Sequence, residues 1–276
     1  MGIGTIFILA VAITTVISPN LTDPVILPKF LLLLVVTLPL FIYTFKVDEL
    51  KRFDFGRLAS LEYLRNNTIL VFATLFLSIH ALSALVSQSP TTGVFGVSGR
   101  RNGFLTYLAF FLLFLMARRF ANKESLSGLL FTLSCVGGFE AMYMLLQKIG
   151  LDPAPWSFVY ANTMIGTLGN PDFASAFVAL STPATGYLIY SHVKDKKKAA
   201  VFLGVFLTQI TALLVSKVYQ GPMALAIAGF VACASLVWFT KRSLPYRVVV
   251  LSSVLLSGLV ATLGVLGQGP LSIIFA

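Results

Sequence analysis

Long apolar runs separated by short polar segments set the pattern of this chain, at about residues 3–18, 25–45, 68–86, 104–117, 125–149, 171–191, 200–215, 223–240 and 248–266. Most approach the roughly 20 residues a helix needs to cross the hydrocarbon layer of a bilayer. Runs such as FLTYLAFFLLFLMA, residues 104–117, lack the every-second-residue alternation of barrel strands. The pattern predicts an all-α polytopic integral membrane helix bundle of about nine transmembrane helices, forming a single membrane-embedded domain over residues 1–276. The fourth and seventh runs are short, so their ends are expected to extend into neighbouring loops.

Composition points the same way. Apolar residues make up 57% of the chain and charged ones 11%, against about a quarter charged in soluble domains. The mean hydropathy is +0.91. The net charge of +10 suggests a nucleic-acid partner until the positions are read. Fifteen of the 20 Lys and Arg residues fall in alternate loops: 46–67, 118–124, 192–199 and 241–247. That bias marks a cytoplasmic face, so the basic runs read as topology determinants and no nucleic-acid partner is expected. The amino terminus is then cytoplasmic and the carboxyl terminus extracytoplasmic. No Lys or Arg precedes Lys29, so the charged start of a cleavable signal is missing and the first run is expected to be a retained span. Residues 46–67 mix Leu50, Phe53, Leu58, Leu61 and Leu64 with charges, as in a cytoplasmic interfacial helix.

Five basic residues break the charge rule: Lys29, Arg100, Arg101, Lys148 and Lys217. A cation on the translocated side opposes the topology bias and calls for compensation. For the arginine pair, lipid phosphates and a bound anionic substrate are both open; the planar guanidinium suits phosphate oxygens better than a lysine point charge. Glu140 is a lone carboxylate in an apolar run, where charge costs about 2.5–3.5 kcal/mol on insertion scales. Gln147 lies two turns on. Either the pair glues helices together through hydrogen bonds or it lines a wet cavity. In GTLGNPDF, residues 166–173, Asn170 fits an N-cap, Pro171 the first helical position and Asp172 the acidic first turn. Capping alone explains all three; the functional alternative is a helix start offered to a sugar hydroxyl. Lys217 and Gln220 fall on the same outer side. His80 reads as a packed or hydrogen-bonded residue, and His192 is cytoplasmic, so no metal site is supported. Cys135 and Cys233 lie mid-run, as small packing residues.

Four segments in order, SALVSQSPTTGVFGVSGRRNGFLTYL, AMYMLLQKIGLDPAPW, GTLGNPDFASAFVALSTP and SKVYQGPMALAIAG, resemble the O-antigen ligase and polymerase-like superfamily of bacterial membrane proteins. The likeness covers roughly residues 81–230. It implies a glycosyltransferase of polysaccharide biosynthesis at the outer face of the cytoplasmic (inner) membrane. Such a protein takes a glycan from a polyprenyl-diphosphate carrier and joins it to an acceptor hydroxyl in the cell envelope, without a metal or other cofactor. The expected substrate-binding set is Arg100, Arg101, Glu140, Gln147, Asn170, Asp172, Lys217 and Gln220, with membrane lipids as further partners. The family's large external loop after about the ninth span, expected to carry the central catalytic residues, has no counterpart before Ala276. Catalytic residues are therefore not assigned. The sequence given is expected to be an N-terminal portion of that architecture, to be completed by a second polypeptide, or to be an inactive relative. Rival readings are a secondary transporter using Glu140 and a noncatalytic membrane scaffold subunit.

Overall fold

The computed structural model describes residues 11–18, 21, 23–45, 65–120, 123–154, 156, 164–239 and 252. These form eight α-helices and no strand: α1 Ile26–Thr44, α2 Thr68–Val86, α3 Pro90–Phe95, α4 Phe104–Phe120, α5 Lys123–Lys148, α6 Pro171–Ser191, α7 Lys196–Val215 and α8 Gln220–Phe239. A 3-10 turn, Ile13–Thr15, precedes α1. Seven of the nine apolar runs thus correspond to helices. The first run, apart from residues 11–18, the ninth apart from Ser252, and most of the expected interfacial helix at 46–67 lie outside the described residues.

Among the described residues, four helices are long and apolar enough to cross a membrane, within Ile26–Tyr43, Thr68–Val86, Lys123–Lys148 and Lys196–Val215. Of the other apolar helices, α4 has 17 residues and α6 is diluted by Asp172, Pro183 and a series of Ser and Thr; α8 is apolar over most of its 20 residues, Gln220–Phe239.

The chain divides into two compact units, Met1–Leu129 and Leu130–Ala276. In the first, α4 packs against α1, α2 and α3. It buries Ala109, Leu112 and Met116, spaced as one helical stripe, while α1 buries Phe30, Leu33 and Thr37 at the same spacing. Each helix buries only a stripe: Phe72, Leu75, Ile79 and Leu82 of α2 stay exposed, a surface suited to lipid. The segment between α2 and α4, expected as loop, holds the short helix α3. Pro90 starts it because a missing N–H costs nothing at a first helical position, and Gly93 lets it lie on the backbone of Ala84.

In the second unit α6 packs against α7 and α8. It meets α5 where Thr185 Oγ1 donates to Ser134 Oγ at 2.8 Å and where a side chain on Gly137 would collide with Ser181. The buried positions of α6 are mostly small: Ala174, Ser175, Val178, Ala179, Ser181, Thr182, Ala184, Thr185 and Leu188. Lipid tails are as apolar as side chains, so helix association in a bilayer depends on close packing and interhelical hydrogen bonds, and small residues permit both. Cys135, expected as a packing residue, is exposed.

Candidate functional site

One end of the second unit concentrates its polar groups. α5 ends at Lys148 in a Schellman turn: Leu151 N–H donates to Leu146 O at 2.9 Å, Gly150 N–H donates to Gln147 O at 3.2 Å, and Gly150 takes φ +77°. This is the left-handed cap that glycine accepts without penalty. The turn throws the chain back so that Asp152 meets the helix it has just left. Its Oδ1 accepts from Tyr143 Oη at 2.8 Å and from Ala154 N–H at 2.9 Å. Its Oδ2 accepts from Gln147 Nε2 at 3.0 Å and Trp156 Nε1 at 2.7 Å. Four donors on one carboxylate fix both the segment after α5 and the plane of the Trp156 indole.

The same face of α5 holds the GTLGN loop. Gln147 Oε1 accepts from Gly166 N–H at 2.8 Å. Glu140 is 1% exposed; its Oε1 accepts from Thr167 N–H at 2.9 Å and its Oε2 from Thr167 Oγ1 at 2.6 Å. Residues 140, 143 and 147 share one face at helical spacing, so one stripe secures both segments. Gly166 stands at φ +60°, and a Cβ there would strike the Glu140 carboxylate; this position requires glycine on two counts. Gly169, at φ +70°, then turns the chain into α6. Asn170 caps that helix, its side chain accepting from Asp172 N–H at 2.8 Å and Phe173 N–H at 3.4 Å, with Pro171 at the first helical position.

Because α6 and α7, then α7 and α8, run antiparallel, the α7–α8 turn returns to the same end. Gly221 abuts Ser175, about one turn into α6. Lys217 and Gln220 are exposed there, and Lys217 adopts φ +56°.

Arg100 and Arg101 belong to the first unit. Their loop closes where Gly96 and Gly103 touch without room for a side chain. Gly96 and Gly99 both take φ +79° and Arg101 φ +49°. The Arg100 and Arg101 N–H groups donate to Val97 O at 3.0 and 2.9 Å, and Thr106 Oγ1 donates to Arg101 O. Arg100 is exposed; Arg101 buries its Nε without a hydrogen-bond partner. Nearby in sequence, the Tyr107 ring stacks on His80 with centroids 4.2 Å apart and Phe76 meets His80 edge-on at 4.5 Å.

The structure therefore joins Glu140 and Gln147 to the loop leading into Asn170 and Asp172, and places Lys217 and Gln220 at that end of the same unit. Glu140 and Gln147, expected to meet substrate, are buried and bonded to the chain itself. Among the described residues no group of His, Cys, Asp or Glu could hold a metal ion. Sequence reasoning overlooked Asp152, Tyr143, Trp156 and Thr167 as partners in this network. An Asp-Pro step directly after a helix end was the available signal for Asp152; Thr167 had none, because its partner Glu140 lies 27 residues away in sequence.

Comparison with family models, curated proteins and solved structures finds no match. The likeness to O-antigen ligases rests on the four segments quoted above.

Proposed function

We propose that this chain binds a polyprenyl-diphosphate-linked glycan at the outer face of the bacterial cytoplasmic membrane, for transfer to an acceptor in cell-surface polysaccharide or glycoconjugate assembly. The observation that carries the reading is Arg101: left-handed at φ +49°, with its buried Nε unpartnered, next to the exposed Arg100. Left-handed backbone costs a non-glycine residue about 1–2 kcal/mol, and an unsatisfied buried donor about 1–3 kcal/mol. A diphosphate oxygen would supply the missing acceptor in a charge-assisted bond. Among the described residues Lys217 is the other non-glycine residue with positive φ, and it too is a cation of the expected substrate set. Strain of this kind collects at ligand clamps.

In the second unit the half-buried Asp172 and the exposed Gln220 suit sugar hydroxyls. Glu140 and Gln147 act one step back, as positioning residues that hold the loop leading into Asn170.

The test is binding of undecaprenyl diphosphate to the full chain in nanodiscs, for the parent and for the Arg100→Gln, Arg101→Gln double variant. Loss of two charge-assisted bonds, each worth about 1.5–3 kcal/mol, predicts affinity at least about a hundredfold weaker with unfolding temperature unchanged. Equal affinity in a folded double variant overturns the proposal.

A further inference from the structure

The start of α1 carries an acid that the proposed function does not use. Asp23 stands just before that helix. Its Oδ1 accepts from Ile26 N–H at 2.9 Å, while its Oδ2 is buried with no partner. Ser18 N–H donates to Pro24 O at 2.8 Å and Pro24 and Val25 are buried, so a closed turn holds Asp23 at this helix start. A buried carboxylate oxygen without a donor is costly in the same way as the unpaired Arg101 Nε.

Packing within the first unit sets Asp23 against the arginine loop. α1 and α4 pack together, and Arg119, in the last turn of α4, sits over the ring of Phe45, the residue after α1, 5.2 Å from its centroid. The two helices therefore run parallel. Their buried stripes share one spacing, Phe30, Leu33, Thr37 and Ala109, Leu112, Met116. Rising about 1.5 Å per residue from the Phe45 contact, α1 reaches Ile26 after about 28 Å and α4 reaches Phe104 after about 22 Å. Continuing the matched stripes back along both chains brings Asp23 to the level of Arg101 and Asn102. That end of the unit thus holds a buried orphan acceptor at the start of α1 and a buried orphan donor before α4, and neither bonds the other.

We propose that Asp23 reads a hydroxyl on the ligand whose phosphate Arg101 holds, an inference that rests on the function proposed above. An ionised diphosphate answers the guanidinium, but it offers Asp23 no proton and repels the carboxylate. The ligand must also donate, from an uncharged group close to the phosphate. The first sugar of a diphosphate-linked glycan carries such hydroxyls; bare undecaprenyl diphosphate does not. A site built around a hydrogen bond discriminates strongly against a ligand lacking the partner group, because the protein's buried atom is then stranded. Asp23 thereby makes the protein prefer the loaded carrier over the discharged one.

The test compares undecaprenyl diphosphate with its galactosyl derivative, each binding the full chain in phosphatidylglycerol nanodiscs at pH 8. The parent should favour the sugar-bearing lipid about tenfold. Asp23→Asn, which keeps an oxygen to cap Ile26, should abolish that preference and retain the bare lipid. Asp23→Ser, another good N-cap, serves if the asparagine variant does not fold. No preference in the parent, or a preference that a folded variant keeps, overturns the inference and leaves the diphosphate reading standing, as does a variant that loses both lipids alike. A parent that binds neither lipid overturns the function itself and this role with it. Competition by phosphatidylethanolamine that disappears in Asp23→Asn also overturns it, giving the site to an ammonium headgroup.

Discussion

The two units treat the polar ends of their helices in opposite ways. In the second, the carboxylates of Glu140 and Asp152 spend their lone pairs on the chain, drawing in Thr167, Tyr143, Gln147, Trp156 and the Ala154 amide. In the first, the loop carrying Arg100 and Arg101 is shaped by backbone turns and glycines, and Arg101 keeps an Nε with nothing to donate to. Buried charge in an apolar surrounding is tolerable only when it is paired or bonded. The acids meet that condition internally and so work as architecture. The arginine loop leaves one buried donor, Arg101 Nε, without a partner, which is why a ligand is proposed there and not at Glu140, although Glu140 is the more conspicuous residue in the sequence.

Substitutions can break this contrast. The largest effect is expected for Glu140→Ala, which strands two buried Thr167 donors at about 1–3 kcal/mol each and lowers thermal stability in detergent accordingly. Glu140→Gln should cost under about 1 kcal/mol, since its carbonyl still accepts from Thr167 N–H and its amide donates to the Thr167 hydroxyl. If glutamine proves as damaging as alanine, the charge itself matters and the transporter reading gains. Gly166→Ala, forced into a left-handed conformation against the Glu140 carboxylate, is expected to cost about 3 kcal/mol; a folded variant of parental stability would mean the loop is not held as described. Asp152→Ala should lose about 2 kcal/mol. In combination with Tyr143→Phe the losses should fall short of additive, as a double-mutant cycle of unfolding free energies would show.

On the other side of the contrast, the Arg100→Gln, Arg101→Gln double variant is expected to stay within about 0.5 kcal/mol of the parent in stability. A large loss would make the arginines structural and the comparison void. The smallest effect belongs to Asp195, the N-cap of α7. The Lys198 N–H, at 3.3 Å, and the Lys198 ammonium, at 3.3 Å, hold its carboxyl below the usual carboxylate range. A group whose folded pKa is depressed stabilises above its unfolded value and loses that contribution as pH falls through the folded one. Asp195→Asn should therefore lower the unfolding temperature slightly at neutral pH, and the gap should close in acid. A constant gap would assign the effect to the cap geometry alone.

Runs of apolar residues, the N-cap sequence at Asn170–Pro171–Asp172 and the polar stripe on α5 could all be read from the sequence, because each depends on neighbours within a few turns of one helix. Helix positions for seven of the nine runs follow from that local pattern, and so does the N-cap role of Asn170. What the local pattern left open was the use of the stripe, as hydrogen-bonding glue or as the lining of a wet cavity. The Schellman turn at Gly150 and the left-handed Gly166 bring Asp152 and Thr167 back onto Gln147 and Glu140, so the stripe bonds the chain's own loops.

The sequence by itself determined that this protein is helical and apolar enough to lie in a membrane, since hydropathy over twenty residues is a sum that no distant contact alters. It also marked the exceptional charges, because a cation or acid in an apolar chain is costly wherever the chain folds. Only the tertiary structure decided which of those charges were already satisfied. That Glu140 closes on Thr167, that Asp23 keeps an orphan oxygen and that Arg101 keeps an orphan Nε are matters of which atoms meet across the fold. Hydrogen bonds form over about 3 Å, a range that spacing along the chain does not reach.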